Sequence, residues 1–468
     1  MLRNSAEFTY YDLASIFKQS QIINLKENFA ALGVSVDTRQ VEPGNIFVAL
    51  RGEKLDAHSK VGEAFERGAT LCVVEGPWYA ENAARFIDKS FIVVKETISA
   101  LGALGRHHRE RFSIPIVAVA GSNGKTTTKD MAAAVLSEKY KTLKTFENFN
   151  NQLGVPLMLL QLSGEYEAAA LEIGTNEPGE IGILSEMVRP TSGVITNIGK
   201  EHLEKLIDLD GVEFEETFLY GFLRKNNKTA LINIDDERLA KYARLMDNKI
   251  TYGETNAGML QANIILTEEL KPILKLMYGE DQIEIGLPTY GRVSALNALA
   301  ASAVGIAHGV PLESIKRALE NFVPTEGHGY ARMQVEPLGD SLIINDCYNS
   351  NPNSMAAALE SLAALPGDYY KIAALGDMRE LGEAAADEHE RLIVLACEKA
   401  DKVYLHGEEL AKASARSNVN GKAQVFDDKP EMAKAIRAQV ISKRAAILVK
   451  GSRGMKMEEL IALLRSNN

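Results

Sequence analysis

The sequence predicts an α/β protein of several domains, and three observations point to this fold class. The chain has 468 residues, enough for two to four domains at roughly 100–200 residues each. Short apolar runs alternate with helix-like segments along the chain, as expected for parallel sheets covered by helices. The stretch IPIVAVAGSNGKTTTKDM, residues 114–131, reads as a buried strand, a glycine turn and the start of a helix.

The first of three regions comprises residues 1–108. Its strands are predicted from the apolar runs NIFVAL, ATLCVVEG and SFIVVKE, at 45–50, 69–76 and 90–96. Between the first two runs lies the helix-like segment SKVGEAFERGA, and turns such as EPGN separate the elements. This region is predicted to be a small α/β domain.

The second region, residues 109–325, has continuous apolar runs separated by helical segments, which favours a parallel sheet. Its strand candidates are IPIVAVA, YEAAALEIG, TSGVITNIG and TALINID, at 114–120, 166–174, 191–199 and 229–235. The third region, residues 326–468, repeats the alternation and is predicted to be a doubly wound α/β domain. Its strand candidates are SLIINDCYN, YKIAALGDM, DKVYLHGEE and AAILVKGSRG.

Charge and cysteine content restrict the function and the compartment. The net charge is −11, from 52 basic and 63 acidic residues, which argues against a general binder of nucleic acid or anionic membranes. The three cysteines lack CxxC spacing, so neither a disulfide framework nor a zinc site is expected. The N-terminal segment lacks the apolar core of a signal peptide, and no apolar run approaches the ~18 residues that span a bilayer. We therefore expect a cytoplasmic protein.

The glycine turn after the strand at 114–120 has the features of a phosphate-binding loop. Gly121 and Gly124 let the backbone close around phosphate oxygens, with amide groups and a helix N-terminus directed at one point. Lys125 offers a positive charge to the β- and γ-phosphates, and a following threonine hydroxyl can reach Mg²⁺. The longer motif G-x-x-x-x-G-K-[ST] requires glycine where Val119 stands, so the loop is predicted to be a shorter variant.

Sequence motifs in all three regions resemble those of the Mur ligase family, whose members join amino acids or peptides to UDP-linked muramic acid. The loop AGSNGKTTT resembles the short phosphate loop of that family. Further similar segments are ENFNNQLGVPLMLL (147–160), LEIGTNEPGEI (171–181), TNIGKEHLE (196–204), INDCYNSNPNSM (344–355), LGDMRELG (375–382) and LVKGSRGMKME (448–458). The N-terminal segment SVDTRQVEPGNIFVALRGEKLDAH (35–58) is similar to the UDP-sugar domain of one branch.

The resemblance implies a fold, an activity and partners. The expected domains are an N-terminal α/β UDP-sugar domain, a central P-loop parallel-sheet ATPase domain and a C-terminal Rossmann-like α/β domain. The implied reaction adds D-alanyl-D-alanine to UDP-N-acetylmuramoyl-tripeptide for peptidoglycan synthesis, with ATP and Mg²⁺ as cofactors. ATP would activate a carboxylate as an acyl phosphate, and an amine would then attack it. We expect a monomer without nucleic-acid or membrane partners.

The resemblance also assigns catalytic and metal-binding residues. The expected catalytic residues are Lys125, Glu172, His202 and Arg332. Glu172 ends an apolar strand, where a doubly wound sheet faces its ligand, and Mg²⁺ prefers such hard oxygen ligands. His202 is implied to hold a second Mg²⁺, and Thr126 completes the predicted metal ligands of the loop.

The remaining site predictions concern the nucleotide and the substrates. The predicted nucleotide-binding residues are Gly121, Ser122, Asn123, Gly124, Lys125, Thr126, Thr127, Asn297, Arg332 and Asp346. The predicted substrate-binding residues are Ser35, Thr38, Arg39, Asn148, Asn151, Asn349, Asn351, Lys450 and Arg453. A capped turn explains the segment VDTR about equally well, and turn capping is also open for Asn148 and Asn151. A solvated cation pair remains the alternative for Lys450 and Arg453.

The sequence departs from the family pattern beside the predicted second metal site. Many members have a lysine, modified to a carbamate, about fourteen residues after the histidine, whereas this chain has Glu216 there. We hypothesise that Glu216, aided by Glu213, replaces the modified lysine as a metal ligand; a solvent-facing helix is the alternative. In GRVSALN the family's usual histidine and first asparagine are Val293 and Ser294. This leaves adenine binding open, although Asn297 remains.

Two other functions stay open at this point. One is a related amide ligase with a different acceptor, such as a folylpolyglutamate-type enzyme, against which the N-terminal segment at 35–58 argues. The other is a catalytically weakened nucleotide-binding paralogue, suggested by the absent lysine.

Overall fold

The computed structural model describes residues 3–52, 55–254, 257–324, 332–417 and 421–466. Its strands are β1 (Glu7–Thr9), β2 (Gln21–Ile23), β3 (Ala30–Leu32), β4 (Val34–Ser35), β5 (Ile46–Val48), β6 (Leu71–Glu75), β7 (Phe91–Val94), β8 (Ile116–Ala120), β9 (Thr142–Lys144), β10 (Ala168–Glu172), β11 (Ser192–Ile195), β12 (Thr229–Asn233), β13 (Lys249–Gly253), β14 (Leu260–Leu266), β15 (Pro272–Tyr278), β16 (Asp281–Gly286), β17 (Gln334–Leu338), β18 (Ser341–Asp346), β19 (Tyr370–Gly376), β20 (Lys402–His406), β21 (Ala423–Phe426) and β22 (Ala445–Lys450). Its α-helices are α1 (Tyr10–Ile16), α2 (Val61–Glu66), α3 (Gly76–Asn82), α4 (Thr97–Arg109), α5 (Lys125–Ser137), α6 (Gly154–Leu159), α7 (Glu180–Val188), α8 (Leu203–Leu206), α9 (Leu209–Glu216), α10 (Phe218–Lys225), α11 (Glu237–Ala240), α12 (Gly291–Ala307), α13 (Leu312–Glu320), α14 (Pro352–Ala363), α15 (Ala385–Lys399), α16 (Glu408–Arg416), α17 (Lys429–Val440) and α18 (Glu458–Arg465). Among the helices of these ranges, none combines the length and hydropathy needed to span a lipid bilayer.

The described residues divide into two compact units. Unit 1 comprises the described parts of 1–118, 140–175 and 179–192, and unit 2 those of 119–139, 176–178 and 193–468. The predicted domain boundary at 325/326 lies outside the described residues. The three predicted domain ranges therefore stay a prediction.

The larger sheet of unit 1 is buried on both faces. Its strand order is β2-β7-β6-β5-β4, parallel except for β2 at one edge. Strands β5, β6 and β7 confirm the three predicted runs. Successive side chains point to opposite faces: Ile46, Leu71 and Ile92 enter one core cluster, whereas Phe47 and Cys72 enter another. Burial on both faces explains why these strands read as continuous apolar runs.

Helix α1 of unit 1 begins with a capping box that is tied to helix α4 and the turn after it. The Thr9 amide donates to Asp12 Oδ2 at 2.8 Å, and the Asp12 amide donates to Thr9 Oγ1 at 3.2 Å. His107 Nε2 lies 3.0 Å from Asp12 Oδ1, and Arg111 Nη2 lies 2.9 Å from Asp12 Oδ2. Burial raises the pKa of Asp12, but hydrogen bonds from Thr9, His107 and Arg111 outweigh it, so the pKa lies well below its usual range.

We expect Asp12→Ala to lower the free energy of unfolding by about 1 kcal/mol at neutral pH, the typical cost of losing a helix cap. Because folding lowers the pKa of Asp12, its contribution is present above the unfolded-state pKa of about 4 and is lost as the pH falls through the folded-state pKa. Urea denaturation at pH values from neutral to acidic measures this. The exposed Asp88→Ala serves as control; an Asp12→Ala difference that persists unchanged in acid would contradict the assignment.

The central sheet confirms the predicted parallel strands and adds an antiparallel extension. In unit 2 its strand order is β11-β12-β13-β14-β15-β16, and in unit 1 β10 pairs with β9 in parallel. Strands β12, β13 and β14 are parallel, whereas β14, β15 and β16 form an antiparallel meander. The meander was not predicted from the sequence. Its strands alternate buried and more exposed residues, so they lack the continuous apolar runs that mark buried parallel strands.

The last sheet of unit 2 is the doubly wound sheet that the sequence predicts. Its order is β17-β18-β22-β19-β20-β21, parallel except for β17 at one edge. Strands β18, β19, β20 and β22 coincide with the four predicted runs. The carboxyl ends of β18 and β22 are in register, so Asp346 lies opposite Lys450. Two predicted site residues therefore meet at the sheet edge where such folds bind ligands.

Candidate active site

The phosphate loop, residues 121–124, joins β8 to α5 and is shaped by its two glycines. Gly121 and Gly124 have φ values of 110° and 81°, which favour glycine. A Cβ atom at these positions would overlap Thr196 Oγ1 and Asn297 Oδ1 respectively. Both glycines are therefore required by backbone conformation and by space.

Residues after β11 hold the phosphate loop in place. Ser122 Oγ accepts from the Gly199 amide at 2.8 Å. The Asn123 amide donates to Asn197 Oδ1 at 3.2 Å, and Asn197 Nδ2 donates to the Asn123 carbonyl at 2.9 Å. These bonds fix the loop independently of a ligand.

Lys125, the first residue of α5, places its ammonium group over the phosphate loop. Its Nζ donates to the Gly121 and Ser122 carbonyls and lies 3.2 Å from Glu201 Oε2. Thr126 and Thr127 follow it in the first helical turn and are half-buried. The cation and the N-terminus of α5 thus produce positive potential at one point, as phosphate binding requires.

Asn297 lies in α12 and packs against the phosphate loop and α5. Its Oδ1 accepts from Thr128 Oγ1 at 3.2 Å and contacts the position where Gly124 has no side chain. Ser294, one turn earlier, is buried and bonded to Thr289. The contacts of Asn297 are therefore with the loop and α5, and its predicted role toward the nucleotide stays a prediction.

Two carboxyl groups, Glu201 and Glu216, face each other beneath the loop. Glu216 is fully buried, and its Oε2 accepts from the Gly121 amide at 2.7 Å. The Oε1 atoms of both glutamates are buried without a hydrogen-bond partner. Burial, together with the charge of Glu201, raises the pKa of Glu216. Lys125 supplies one positive charge beside Glu201, so the second carboxyl group needs a proton or a further cation. Glu216 does not lie on a solvent-facing helix surface.

Glu213, the proposed helper of Glu216, is engaged elsewhere. Its carboxylate contacts Arg238 Nη1 at 3.0 Å, Lys241 Nζ at 2.5 Å and Tyr242 Oη at 3.1 Å. Burial raises its pKa, but these donors outweigh that effect and lower it. Glu213 is therefore neutralised by protein groups of its own.

His202 has its imidazole between two carboxylates. Its Nδ1 lies 2.7 Å from Glu380 Oε2, and its Nε2 lies 4.0 Å from Glu201 Oε2. The residue precedes α8 with a left-handed φ of 47°. The predicted metal ligand thus presents Nε2 on the side of Glu201, whose neighbours are Lys125 and Glu216.

Glu172, the predicted metal ligand of unit 1, ends β10 as expected but is only 2 % exposed. Asn150 Nδ2 donates to its Oε1 at 2.8 Å, whereas its Oε2 is buried without a partner. The Glu172 side chain is therefore not a strand-end carboxylate in bulk water. It has one oriented oxygen and one free oxygen.

The predicted substrate residues of unit 1 have structural contacts of their own. Asn151 Oδ1 accepts from the Leu153 and Gly154 amides at 3.1 and 2.9 Å in the turn that leads into α6, while Asn148 is exposed. Ser35 Oγ donates to the Asp37 carbonyl at 2.9 Å, and Thr38 is buried. The exposed Arg39 guanidinium pairs with the Asp37 carboxylate. These observations fit the turn-capping alternative, and the predicted substrate roles stay predictions.

The predicted residues of the third region gather at the carboxyl edge of its sheet. Lys450 is 2 % exposed, and its Nζ lies 2.5 Å from Asp346 Oδ2 and 2.9 Å from the Asn349 carbonyl. Its charge is therefore paired rather than solvated. Arg453 contacts Glu458 at 3.0 Å. The Arg332 guanidinium lies 4.0 Å from the centre of the Tyr348 ring.

Asn351 connects this edge to the phosphate loop. It caps α14 through its Oδ1, which accepts from the Ser354 amide at 2.8 Å. Its Nδ2 donates to Asn123 Oδ1 at 2.9 Å. Unit 2 therefore brings the loop, Asn123 and Asn351 together.

Three residues with specific contacts were missed from the sequence: Asn150, Glu201 and Glu380. Asn150 lies between two predicted asparagines, and Glu201 directly precedes His202, so both were close to a recognised motif. Glu380 lies in the segment LGDMRELG that was recognised from the sequence. Nothing in the sequence pairs it with His202, which lies 178 positions earlier in the chain.

The free buried oxygens of Glu172, Glu201 and Glu216 are suitable ligands for a hard cation such as Mg²⁺. Within the described ranges no group of three or more His, Cys, Asp or Glu side chains is arranged to hold a metal ion. Mg²⁺ takes many of its ligands from water and substrate phosphates, so one or two carboxylates at a site suit it. The residues present therefore fit this metal.

A strand, a glycine loop and a helix N-terminus with a lysine above it define an α/β protein that binds nucleotide phosphates. The family model of the Mur ligase middle domain matches residues 119–305, and that of the Mur ligase glutamate ligase domain matches residues 331–453. The chain belongs to the Mur ligase family. Members are ADP-forming amide ligases that use ATP with Mg²⁺.

Curated relatives match almost the whole chain. It is 33% identical over 467 residues to UDP-N-acetylmuramoyl-tripeptide–D-alanyl-D-alanine ligase of Bacillus subtilis, covering 98% of this chain and 97% of the relative. It is 32% identical to the Escherichia coli enzyme of the same name, covering 93% and 94%.

Solved structures match equally broadly and confirm the predicted three-domain α/β fold. MurF from Acinetobacter baumannii matches with a TM-score of 0.88 and 30% identity, covering 99% of this chain and 100% of that one. MurF ligase from Thermotoga maritima in complex with ADP matches with a TM-score of 0.81 and 26% identity, covering 92% and 96%.

Proposed function

We propose that this chain adds D-alanyl-D-alanine to UDP-N-acetylmuramoyl-tripeptide in an ATP-driven step of peptidoglycan precursor synthesis. The observation that carries the proposal is the 33% identity over 98% of the chain to a ligase of that name. That match extends through the N-terminal region, whose segment 35–58 is similar to the UDP-sugar domain of one branch of the family. The geometry of the phosphate loop supports the same reading.

In this proposal the residues of unit 2 bind the nucleotide and keep its phosphates oriented. The loop amides and Lys125 hold the β- and γ-phosphates. The tripeptide carboxylate attacks the γ-phosphorus, ADP leaves, and an acyl phosphate forms. The amine of D-alanyl-D-alanine then attacks the acyl carbon, loses a proton, and inorganic phosphate leaves as the amide bond forms. Bound Mg²⁺ would neutralise charge on the transferring phosphoryl group. We assign Thr126 and Glu172 as Mg²⁺ ligands, and His202 and Glu216 as ligands of a second ion.

Further parts of the proposal concern substrate contacts and setting. We assign the UDP-sugar to the first region, 1–108, through Ser35, Thr38 and Arg39, and ATP to the second, 109–325. Residues of the third region, 326–468, contact the substrates and the nucleotide: Arg332, Asp346, Asn349, Asn351, Lys450 and Arg453. We place the reaction in the cytoplasm, where free thiols such as Cys72 and Cys347 persist. We also propose that the enzyme is a monomer.

A phosphate-release assay tests the function. We expect release of phosphate from ATP only when both UDP-N-acetylmuramoyl-tripeptide and D-alanyl-D-alanine are present, with mass spectrometry detecting the amide product. Omitting either substrate is the control, because acyl-phosphate chemistry requires the carboxylate and turnover requires the amine.

The alternatives give different results in the same assay. A ligase with another acceptor, such as a folylpolyglutamate-type enzyme, would release no phosphate with UDP-N-acetylmuramoyl-tripeptide and D-alanyl-D-alanine, but would do so with its own acceptor and amine. A weakened paralogue would bind ATP without stimulated hydrolysis. Either result would overturn the proposed function.

A further inference from the structure

The segment that follows β19 in the third region docks onto the residues around His202. Glu380 in this segment contacts it twice: its carboxylate Oε2 lies 2.7 Å from His202 Nδ1, and its carbonyl accepts from the Glu204 amide at 3.1 Å. Both Glu380 and His202 have left-handed φ values, 64° and 47°. The Glu380 carbonyl therefore accepts a hydrogen bond from an amide in the first turn of α8, which has no acceptor within the helix. The Glu380 side chain contacts the His202 imidazole.

Neighbouring contacts show that this docking is close. A Cβ atom on Gly382 would lie 3.0 Å from Glu204 Cα. The backbone of the segment after β19 therefore packs directly against the backbone of α8. On the other side of His202, Lys200 Nζ lies 2.6 Å from Glu388 Oε1, and the Lys200 amide donates to Asn353 Oδ1 at 2.8 Å. Residues of the third region thus form hydrogen bonds and ion pairs with Lys200, His202 and Glu204.

The Glu380 contact determines which imidazole nitrogen is free. Glu380 Oε2 lies 2.7 Å from His202 Nδ1, a distance at which a carboxylate oxygen accepts a hydrogen bond from the ring nitrogen. His202 Nδ1 must then carry the hydrogen, and Nε2 faces the side of Glu201, whose Oε2 lies 4.0 Å away. A carboxylate that accepts from one ring nitrogen fixes the orientation and basicity of the other.

We propose that Glu380 is a positioning residue for His202: the docked third region presents His202 Nε2 beside Glu201 and the phosphate loop. This inference rests on the proposed function in assigning His202 to the metal. It adds a residue to that site, and it makes the orientation of His202 depend on docking of the segment 378–382.

Histidine labelled with ¹⁵N gives a direct readout of the pairing, independent of activity. The chain has eight histidines, and His202→Asn identifies the resonance of His202. At about pH 8, where an ordinary histidine is neutral, we expect the wild-type protein to carry its hydrogen on Nδ1. Glu380→Ala should shift the His202 population toward the Nε2-protonated form. An unchanged His202 spectrum in Glu380→Ala would overturn the proposal.

Kinetics separate positioning from a merely structural role. Glu380→Ala should raise the Mg²⁺ concentration for half-maximal turnover by about 10–100-fold, the usual effect of losing such a partner, while the KM for D-alanyl-D-alanine changes much less. Glu380→Gln, which keeps an acceptor oxygen, should recover part of the loss. Equal Mg²⁺ requirements in wild type and Glu380→Ala, or no recovery in Glu380→Gln, would overturn the proposal.

The exposed Glu383, in the same segment, gives the matched control. Glu383→Ala should leave the His202 spectrum unchanged and the Mg²⁺ requirement within about twofold, as for most surface substitutions. Similar effects in both variants would show general disturbance of the segment and overturn the specific role of Glu380. If wild-type protein releases no phosphate with both substrates, the proposed function fails, whereas the ¹⁵N spectra still decide the pairing.

Discussion

Replacing Lys125 by alanine is expected to lower turnover by about 10³-fold or more, the scale found when a preorganised group that stabilises transition-state charge is removed. Lys125 Nζ lies above the phosphate loop, within reach of the Gly121 and Ser122 carbonyls and 3.2 Å from Glu201. The loop residues 121–124 carry no cationic side chain themselves. Rapid-quench measurement of acyl-phosphate formation would locate the loss in phosphoryl transfer.

The fold should survive this change, because the loop is fixed by its two glycines and by hydrogen bonds with Asn197 and Gly199 that do not involve the Lys125 side chain. Far-UV circular dichroism and a thermal unfolding curve check this. Lys139→Ala, just beyond the other end of α5, removes a lysine that binds the carbonyls of His308 and Gly309. We expect its turnover to stay within about twofold of wild type. Substantial ligation by Lys125→Ala would refute the phosphate role.

The second large effect is expected for Glu216→Gln, which should lower turnover by about 10–100-fold and weaken the response to Mg²⁺. Glu216 is fully buried, and its Oε1 has no partner. A glutamine keeps an acceptor for the Gly121 amide and can donate to Glu201, so the loop should keep its shape. What is lost is a carboxyl group that can ionise to bind a cation beneath the phosphates.

Stability distinguishes this effect from damage to the core. Two facing carboxyl groups disfavour each other when both are charged, so Glu216→Gln without Mg²⁺ should unfold at the same temperature as wild type or higher. Asp210→Asn, an exposed change on the same helix, should leave turnover within about twofold. Wild-type turnover and Mg²⁺ response in Glu216→Gln would show that Glu216 only supports the loop.

Local features of the site were predictable because each is encoded by residues adjacent in the chain. The strand, the glycines and the lysine of residues 114–131 form one continuous unit, and the structure confirms it. Asp346 and Lys450 were each predicted to be site residues, and parallel pairing of β18 with β22 brings them together. The antiparallel meander of β14, β15 and β16 was missed because strands with one exposed face carry a weaker apolar signal.

The partners of the predicted side chains could not be read from the sequence. Whether Glu216 faces solvent or the loop depends on which side of α9 is packed inward, and the helix segment contains several acidic residues. Asn151 Oδ1 accepts from the Leu153 and Gly154 amides, whereas its neighbour Asn150 donates to Glu172, and the substrate role predicted for Asn151 stays a prediction. Adjacent residues of one type cannot be distinguished until the loop has a conformation.

The sequence by itself determined the α/β class, the phosphate loop and the family to which the chain is similar, because these depend on periodicity and on motifs of consecutive residues. Only the tertiary structure decided that Glu201 and Glu216 share one buried site with Lys125, and that Glu380 binds His202. The physical reason is that burial and pairing of charged groups depend on residues far apart in the chain. Packing of the strands and helices brings those residues within hydrogen-bond distance and removes the water that would otherwise separate them.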